Sequence, residues 1–421
     1  MPWKETSPKM EKVQFIAAWR TNQDSMAELC RQFGISRKTG YKIVARWRAE
    51  EEGAFTEHSR APKSCPWATK APVREAILAL RRKHPTWGPK KLRARLAQDH
   101  PGERWPALST IGELLRREGL TEEQRRRRRA CPRRAEAAQA PGEKWCADFK
   151  GHFRTQNNTR CDPLTVTDDF SRLLLGCRAL SPPIATEDVI AIFIELFREY
   201  GLPEVIQTDN GPPFGAAGGL GLTRLSAFWI RLGISPRRIE PGKPQQNGRH
   251  ERMHRTLKAE TIRPVPAASL AGQQRRFDAF REVYNRERPH EGLGLVTPIS
   301  LFTPSPRAYP ETVRAPEYDE GAIVRRVSKV GSLRWRKEHY FFTTTLAGED
   351  VRLVEHEEEP ILSVIYYREL IGRIDLGSRR VCGPDPGGLP AGVEFIASGP
   401  KRDSEAAGHK PMENESGEPS Q

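Results

Sequence analysis

The sequence predicts a multidomain chain: all-α helix-turn-helix units at the N terminus, an α/β core with a mixed sheet flanked by helices, then a small all-β barrel and a disordered tail. Three observations predict it. Apolar residues recur at helical spacing through the first 120 or so positions, interrupted by turns that carry glycine or proline. From about residue 140, β-type runs alternate with amphipathic stretches. Beyond about 315 only short β-type runs remain, and the last 40 or so residues are mostly Gly, Pro, Ser and charge. A chain of 421 residues exceeds one ordinary core, so about two to four domains are expected.

Charge separates the two ends. The net charge is +15, and residues 1–134 hold 31 Lys and Arg against 15 Asp and Glu, so the N-terminal third carries the whole excess. Together with the helical pattern, that asymmetry favours a nucleic-acid partner over a solvated basic surface. Seven cysteines (30, 65, 131, 146, 161, 177, 382) are scattered, odd in number and free of any Cys-x-x-Cys pair. That argues against both a disulfide framework and a structural zinc site. No signal-type run and no stretch of 18 apolar residues occurs, so a cytosolic chain without a membrane partner is expected.

Taken in order, residues 8–52 read as a helix-turn-helix domain. Val13, Phe15, Ile16 and Trp19 form one stripe, and Met26, Ala27, Leu29, Cys30 and Phe33 a second that stops at Gly34. Ser36 can cap a third helix, Arg37–Glu50, with Tyr41, Ile43, Val44 and Trp47 on one side. Arg37, Lys38, Thr39 and Lys42 at its start are the candidate DNA contacts. Residues 66–122 read as a second such unit, with helices Pro72–Lys83, Gly88–Gln98 and Leu108–Glu118, the last capped by Ser109 or Thr110. Residues 123–139 form a basic linker, Arg125–Arg129 with Arg133 and Arg134.

The core spans 140–303. Strands are expected at Trp145–Phe153, Leu164–Phe170, Arg172–Leu180, Glu204–Thr208 and Ser235–Ile239, and helices at Thr186–Tyr200, Leu222–Leu232, Gln245–Ile262 and Leu270–Arg286. Short runs between 315 and 376 suggest the barrel, and 377–421 the tail.

Three acids stand out by position. Asp148 falls within the first core strand, Asp209 at the C-terminal end of a buried strand where Asn210 and Gly211 turn the chain, and Glu251 on a helix opening after Asn247-Gly248. Carboxylates in or beside core strands need a partner, because a buried unpaired charge is costly. Oxygen donors suit magnesium or manganese, and two ions roughly 3.5–4 Å apart can serve an in-line phosphoryl displacement. Any one of the three acids alone has a bland structural reading.

Their surroundings carry more. Asp209-Asn210-Gly211-Pro212-Pro213-Phe214, then Pro241-Gly242-Lys243-Pro244-Gln245-Gln246-Asn247-Gly248-Arg249-His250-Glu251-Arg252, and finally Tyr284-Asn285-Arg286-Glu287-Arg288-Pro289-His290 with Leu293 and Thr297-Pro298, resemble insertion-sequence transposases of the retroviral-integrase superfamily. The resemblance implies a ribonuclease H-like core and makes Asp148, Asp209 and Glu251 an Asp-Asp-Glu metal triad. It further implies magnesium dependence with manganese substituting, action on terminal inverted repeats and on target DNA, and a nucleoid-associated bacterial setting. Two DNA ends must be held together, so a homo-oligomer on DNA is expected. The 41 residues between Asp209 and Glu251 exceed the usual spacing, and the excess is expected in a surface loop at 215–221.

Lys258 lies two helical turns, about 10 Å, beyond Glu251 and could hold a phosphate, with Arg255 competing for that role. Asn247 and Gly248 are expected to shape the helix start. Asp168-Asp169 is expected to cap a turn into Ser171-Arg172. His250-Glu251-Arg252-Met253-His254 also matches the zinc-peptidase pattern, but no third ligand follows, the helix offers little apolar face and its flanks are cationic. A catalytically silent DNA-binding regulator is the remaining alternative from another class.

Overall fold

The computed structural model describes residues 7–55, 68–121, 138–215, 220–240, 244–263, 265–356 and 359–383. The basic run at 125–134 and the tail beyond 383 lie outside the described residues. Two compact units are present, one ending at Lys70 and one beginning at Ala71.

In the first unit, α1 (Pro8–Arg20), α2 (Met26–Gln32) and α3 (Arg37–Glu50) each start on a serine that accepts a backbone N–H: Ser7 from Met10, Ser25 from Glu28, Ser36 from Thr39. Gly34, at φ +63°, makes the turn between α2 and α3. Phe15, Ile16, Leu29, Cys30 and Val44 form the core. Val13 and Tyr41, expected in the apolar stripes, are exposed. Val13 precedes Phe15 by two residues, which places it on nearly the opposite side of the helix. Gly40 sets how closely α3 can approach, since a Cβ there would stand 2.5 Å from Cys30 Sγ and 3.1 Å from Phe15. Gly40→Val should therefore cost about 1–3 kcal/mol in denaturant unfolding of this unit. An unchanged midpoint would show that α3 shifts outward freely.

The second unit opens with α4 (Ala71–Lys83), α5 (Pro89–Asp99) and α6 (Leu108–Arg117) around Ile77, Trp87, Leu92 and Ile111. The residue capping α6 is Ala107, with no side-chain hydrogen bond, so Ser109 and Thr110 lie inside its first turn instead of capping it.

These helices belong to the same unit as a mixed sheet. Its strands are β1 (Lys144–Phe149), β2 (Phe153–Arg154), β3 (Arg160–Asp168), β4 (Leu174–Leu180), β5 (Val205–Thr208) and β6 (Ser235–Arg238). β3 pairs antiparallel with β1, β2 and β4, while β5 pairs parallel with β1 and β6 parallel with β5. Pleating divides the faces. Trp145, Ala147, Leu164, Val166 and Ile206 pack against α7 (Thr186–Tyr200) and α8 (Arg224–Arg231). On the other face Cys161, Leu174 and Cys177 meet α9 (Gly248–Leu257) and α10 (Leu270–Glu282). Both α9 and α10 widen into π-turns, at Lys258–Ile262 and Val283–Glu287, where uninterrupted helices were expected.

The C-terminal part is all-β. β7 (Ile323–Arg326), β10 (Asp350–Glu355), β11 (Ile361–Tyr366), β12 (Glu369–Asp375) and β13 (Arg380–Cys382) form one sheet, and β8 (Ser332–Trp335) with β9 (Glu338–Phe341) a hairpin sharing its core. Strand β13 occupies residues assigned to the tail, because Arg373–Asp375 offer it a free edge. That core also takes Ala227 and Ile230 of α8, and Leu220. Leu220 therefore corrects the surface-loop expectation for 215–221, of which 216–219 lie outside the described residues.

Candidate active site

The pleat that sends Trp145 and Ala147 toward α7 sends Cys146 and Asp148 toward α9. In the parallel β1–β5 pair Ala147 stands opposite Thr208, so Asp148 and Asp209, the latter just past the end of β5, come next in register. Strand spacing there is about 4.8 Å. Asp148 is largely buried, and its carboxyl is pushed up to about 7, first by burial and then by the charge of Asp209, with Glu251 adding to it; the Phe149 N–H and Lys150 oppose the rise. Burial also raises Asp209, against a hydrogen bond from the Gly211 N–H at 3.2 Å.

α9 faces this edge. It buries His250, Met253, His254 and Leu257, while Glu251 is exposed. The helix thus has a buried face after all, contrary to the sequence expectation, because two histidines complete it. Thr165, directly opposite Asp148 on β3, holds both of them. Its hydroxyl lies 2.7 Å from Nε2 of His250 and 2.7 Å from Nε2 of His254, and 3.1 Å from the Asp148 carbonyl. A hydroxyl has one proton; donated to that carbonyl, it leaves both lone pairs to accept from the two Nε2–H groups. Thr167 then supplies the proton to His250 Nδ1 at 2.8 Å. Burial depresses the two histidines, to about 3 for His250 and about 2 for His254, so both are neutral.

Donor-type atoms of Asp148, His250 and His254 all lie within 4.8 Å of one another. Both nitrogens of His250 are nevertheless engaged by threonines, and only His254 Nδ1 is left, 3.7 Å from Asp148 Oδ2. A zinc-peptidase site needs a lone pair from each histidine. The hydrogen bonds here make the pair a support beneath Asp148. Thr165→Val should strand two histidine N–H groups and a carbonyl, costing about 2–4 kcal/mol in chemical denaturation. A loss below about 0.5 kcal/mol would mean that packing alone seats α9.

Lys258 is exposed at the end of α9, and its charge, after burial, lowers the pKa of Lys150, which in turn lies near Asp148. Lys150 escaped the sequence reading, though a lysine two residues past a strand acid was its only signal. Arg255 is exposed on α9. Asp168 accepts from the Ser171 N–H and hydroxyl at 2.7 and 2.6 Å and from the Gly142 N–H at 2.8 Å, so it caps the turn as expected. Asp169 pairs with Lys144 at 3.2 Å and Arg249 at 3.0 Å. Asn247 begins α9 without a side-chain cap. In the first unit Arg37, Lys38, Thr39 and Lys42 are exposed at the start of α3.

Donor chemistry at the Asp148–Asp209 edge fits a hard divalent cation: two partly desolvated carboxylates whose mutual repulsion a cation relieves, with His254 Nδ1 the one nitrogen left beside Asp148.

Residues 138–244 and 232–298 match family models described as integrase core domain. Residues 11–63 match a helix-turn-helix domain and 39–115 a homeodomain-like domain. A 31.7 kDa protein of insertion element IS407 from Burkholderia multivorans is 29% identical over 47% of this chain and 69% of its own length. A 39.2 kDa protein of insertion element IS476 from Xanthomonas euvesicatoria is 30% identical over 39% of this chain, which spans 45% of that protein. The magnesium-bound catalytic core domain of HTLV-2 integrase is 17% identical, with 39% of this chain and 99% of that one covered at a TM-score of 0.30. Among the described residues no helix is long and apolar enough to cross a membrane.

Proposed function

We propose that this chain, which carries an integrase core behind helix-turn-helix domains as insertion-element transposases do, binds the terminal inverted repeats of a mobile element and cuts and joins DNA there. One observation supports this above the others: two carboxylates side by side on parallel strands, with the helix bearing Glu251 packed across their face.

In this reading Asp148, Asp209 and Glu251 hold magnesium, or manganese in its place, as two ions. Such ions supply activation of the attacking oxygen and stabilisation of the leaving one. The chain's own groups do the rest. Thr165, through its bond to the Asp148 carbonyl, and the histidine pair fix the strand from which Asp148 projects. Lys258 and Lys150 place positive charge beside the acids, where a phosphodiester is held. Arg255 lies on the same helix and meets the DNA backbone. Arg37, Lys38, Thr39 and Lys42 present basic and hydroxyl groups to the major groove, and the binding they give is steeply salt-dependent. Water hydrolyses the phosphodiester at the element's end, leaving a 3′-hydroxyl on the element and a 5′-phosphate on the flank. That hydroxyl then attacks a target phosphodiester and displaces the target strand's own 3′-hydroxyl, with no covalent protein–DNA intermediate. Two ends require two or more copies of the chain.

The test is joining of a labelled element end to target DNA with magnesium. Joined product supports the reading. Binding without cleavage under magnesium and manganese alike would leave a DNA-binding regulator.

A further inference from the structure

On the side of α9 away from the Asp148–Asp209 edge lies a cavity of about 180 Å³ that the mechanism above does not use. Cations reach it from separate parts of the second unit: Lys91 on α5, Arg172 on the turn before β4, Arg249 and Arg252 on α9, and Arg288 after α10. Two of them are committed, Arg249 to Asp169 at 3.0 Å and the buried Arg288 to Glu260. Lining acids are committed too. Asp168 caps its turn, Asp169 takes Lys144 and Arg249, and Glu291 lies 3.6 Å from Lys90.

Lys91, Arg172 and Arg252 remain. Among the described residues none of their side chains meets a hydrogen-bond or ion-pair partner, and Arg172 Nε is buried with no acceptor. Arg172 also holds a left-handed backbone, φ +64°, which a side chain adopts at some cost. Burial lowers the pKa of Lys91, with Arg288 and Arg252 adding to it against Glu291 and Glu260; burial lowers Arg172 as well, with Arg249 and Arg252 adding and Asp169 and Tyr284 opposing. Like charges gathered and partly dried, with every nearby acid already paired, lack an anion. Guanidinium forks converging from different elements suit a group with several oxygens.

We propose that this cavity binds a backbone phosphate of DNA, held by Lys91, Arg172 and Arg252. The identity of the anion as DNA rests on the transposase reading; the anion site itself does not. Such a phosphate ties the helical segment α4–α6 to the helix that carries Glu251 through one point of the bound strand.

The experiment uses the full chain, with Lys91→Gln/Arg252→Gln as the variant, Arg252→Gln alone as a milder version and Lys329→Gln as a charge control in the β-region. Neither Lys91 nor Arg252 holds a structural pair, so folding should survive, which a melting curve checks. Binding to a duplex oligonucleotide is measured between 50 mM and 300 mM salt, without divalent ions. The expected result is a log K versus log salt slope shallower by about one for each cation removed from the phosphate, and roughly tenfold weaker binding near 0.1 M, with Lys329→Gln unchanged. Inorganic phosphate should raise the melting temperature of the wild type and not of the double variant. An unchanged slope, or an equal change in the control, overturns the proposal. Phosphate stabilisation with an unchanged slope does so as well, since it assigns the cavity to a free anion. Joining activity plays no part in these readouts, so the transposase reading can fail while this site stands, and the reverse.

Discussion

Asp148→Asn should lower end cleavage and strand joining by about a thousandfold or more while DNA binding stays within a few-fold of wild type. The position of the residue requires it. Asp148 lies on β1 and Asp209 directly after β5, its parallel neighbour, close enough for the Asp209 charge to raise the Asp148 carboxyl; a cation bound as proposed would draw on both. An amide keeps the shape and removes the charge, so it forfeits several kcal/mol of charge stabilisation at a factor of ten per 1.4 kcal/mol or so. Asp209→Asn and Glu251→Gln should behave alike. The candidate DNA contacts on α3 lie in the other compact unit, which is why binding is spared. Gel-based joining of labelled ends, alongside a binding titration, reads both quantities. Strand joining retained by any of the three variants would remove that residue from the triad.

The same substitution should stabilise the cation-free protein at high pH. Burial and the neighbouring carboxylates raise the Asp148 pKa from 3.8 to about 7. A group whose folded pKa lies above its unfolded value favours the fold when protonated. Its contribution is therefore fully present below about pH 4 and is lost as pH rises through about 7. Asp148→Asn should be more stable than wild type by about 2–4 kcal/mol at pH 8 without divalent ions, with the gap closing toward pH 4. Denaturant unfolding at several pH values, in a chelating buffer, measures the difference. A variant less stable than wild type at pH 8 would show that Asp148 gains more from its neighbours as an anion than burial and repulsion take away.

Much of this was legible in the residues, and the limits have physical causes. The mixed sheet and the approximate positions of its strands were legible; the strand order, and the faces that send Trp145 and Ala147 to α7 and Asp148 the other way, come from long-range pairing that no local pattern carries. Periodicity found α7 to the residue. The start of α3 followed from Ser36, which caps it, and the basic residues after it are exposed as expected. By contrast, the histidine pair matched only a metal-binding pattern that was set aside, because its partners Thr165 and Thr167 lie more than 80 residues away along the chain. No local pattern announces such a partner. The π-turns after α9 and α10 were invisible for the same reason, as tertiary packing sets them. The cavity lined by Lys91, Arg172 and Arg252 joins positions scattered over some 160 residues. Each of the three cations, taken by itself, reads as an ordinary solvated side chain.

Helix α8 serves two cores at once: Leu225 and Trp229 belong to the sheet's, Ala227 and Ile230 to that of the all-β region. One consequence concerns how such chains can diversify. Replacing the C-terminal piece with one of different sequence would not be a clean swap at a linker, since it would meet the back of α8 with the wrong shape. The back of α8 and the strands that cover it, some hundred residues apart along the chain, must therefore match in shape for either core to close.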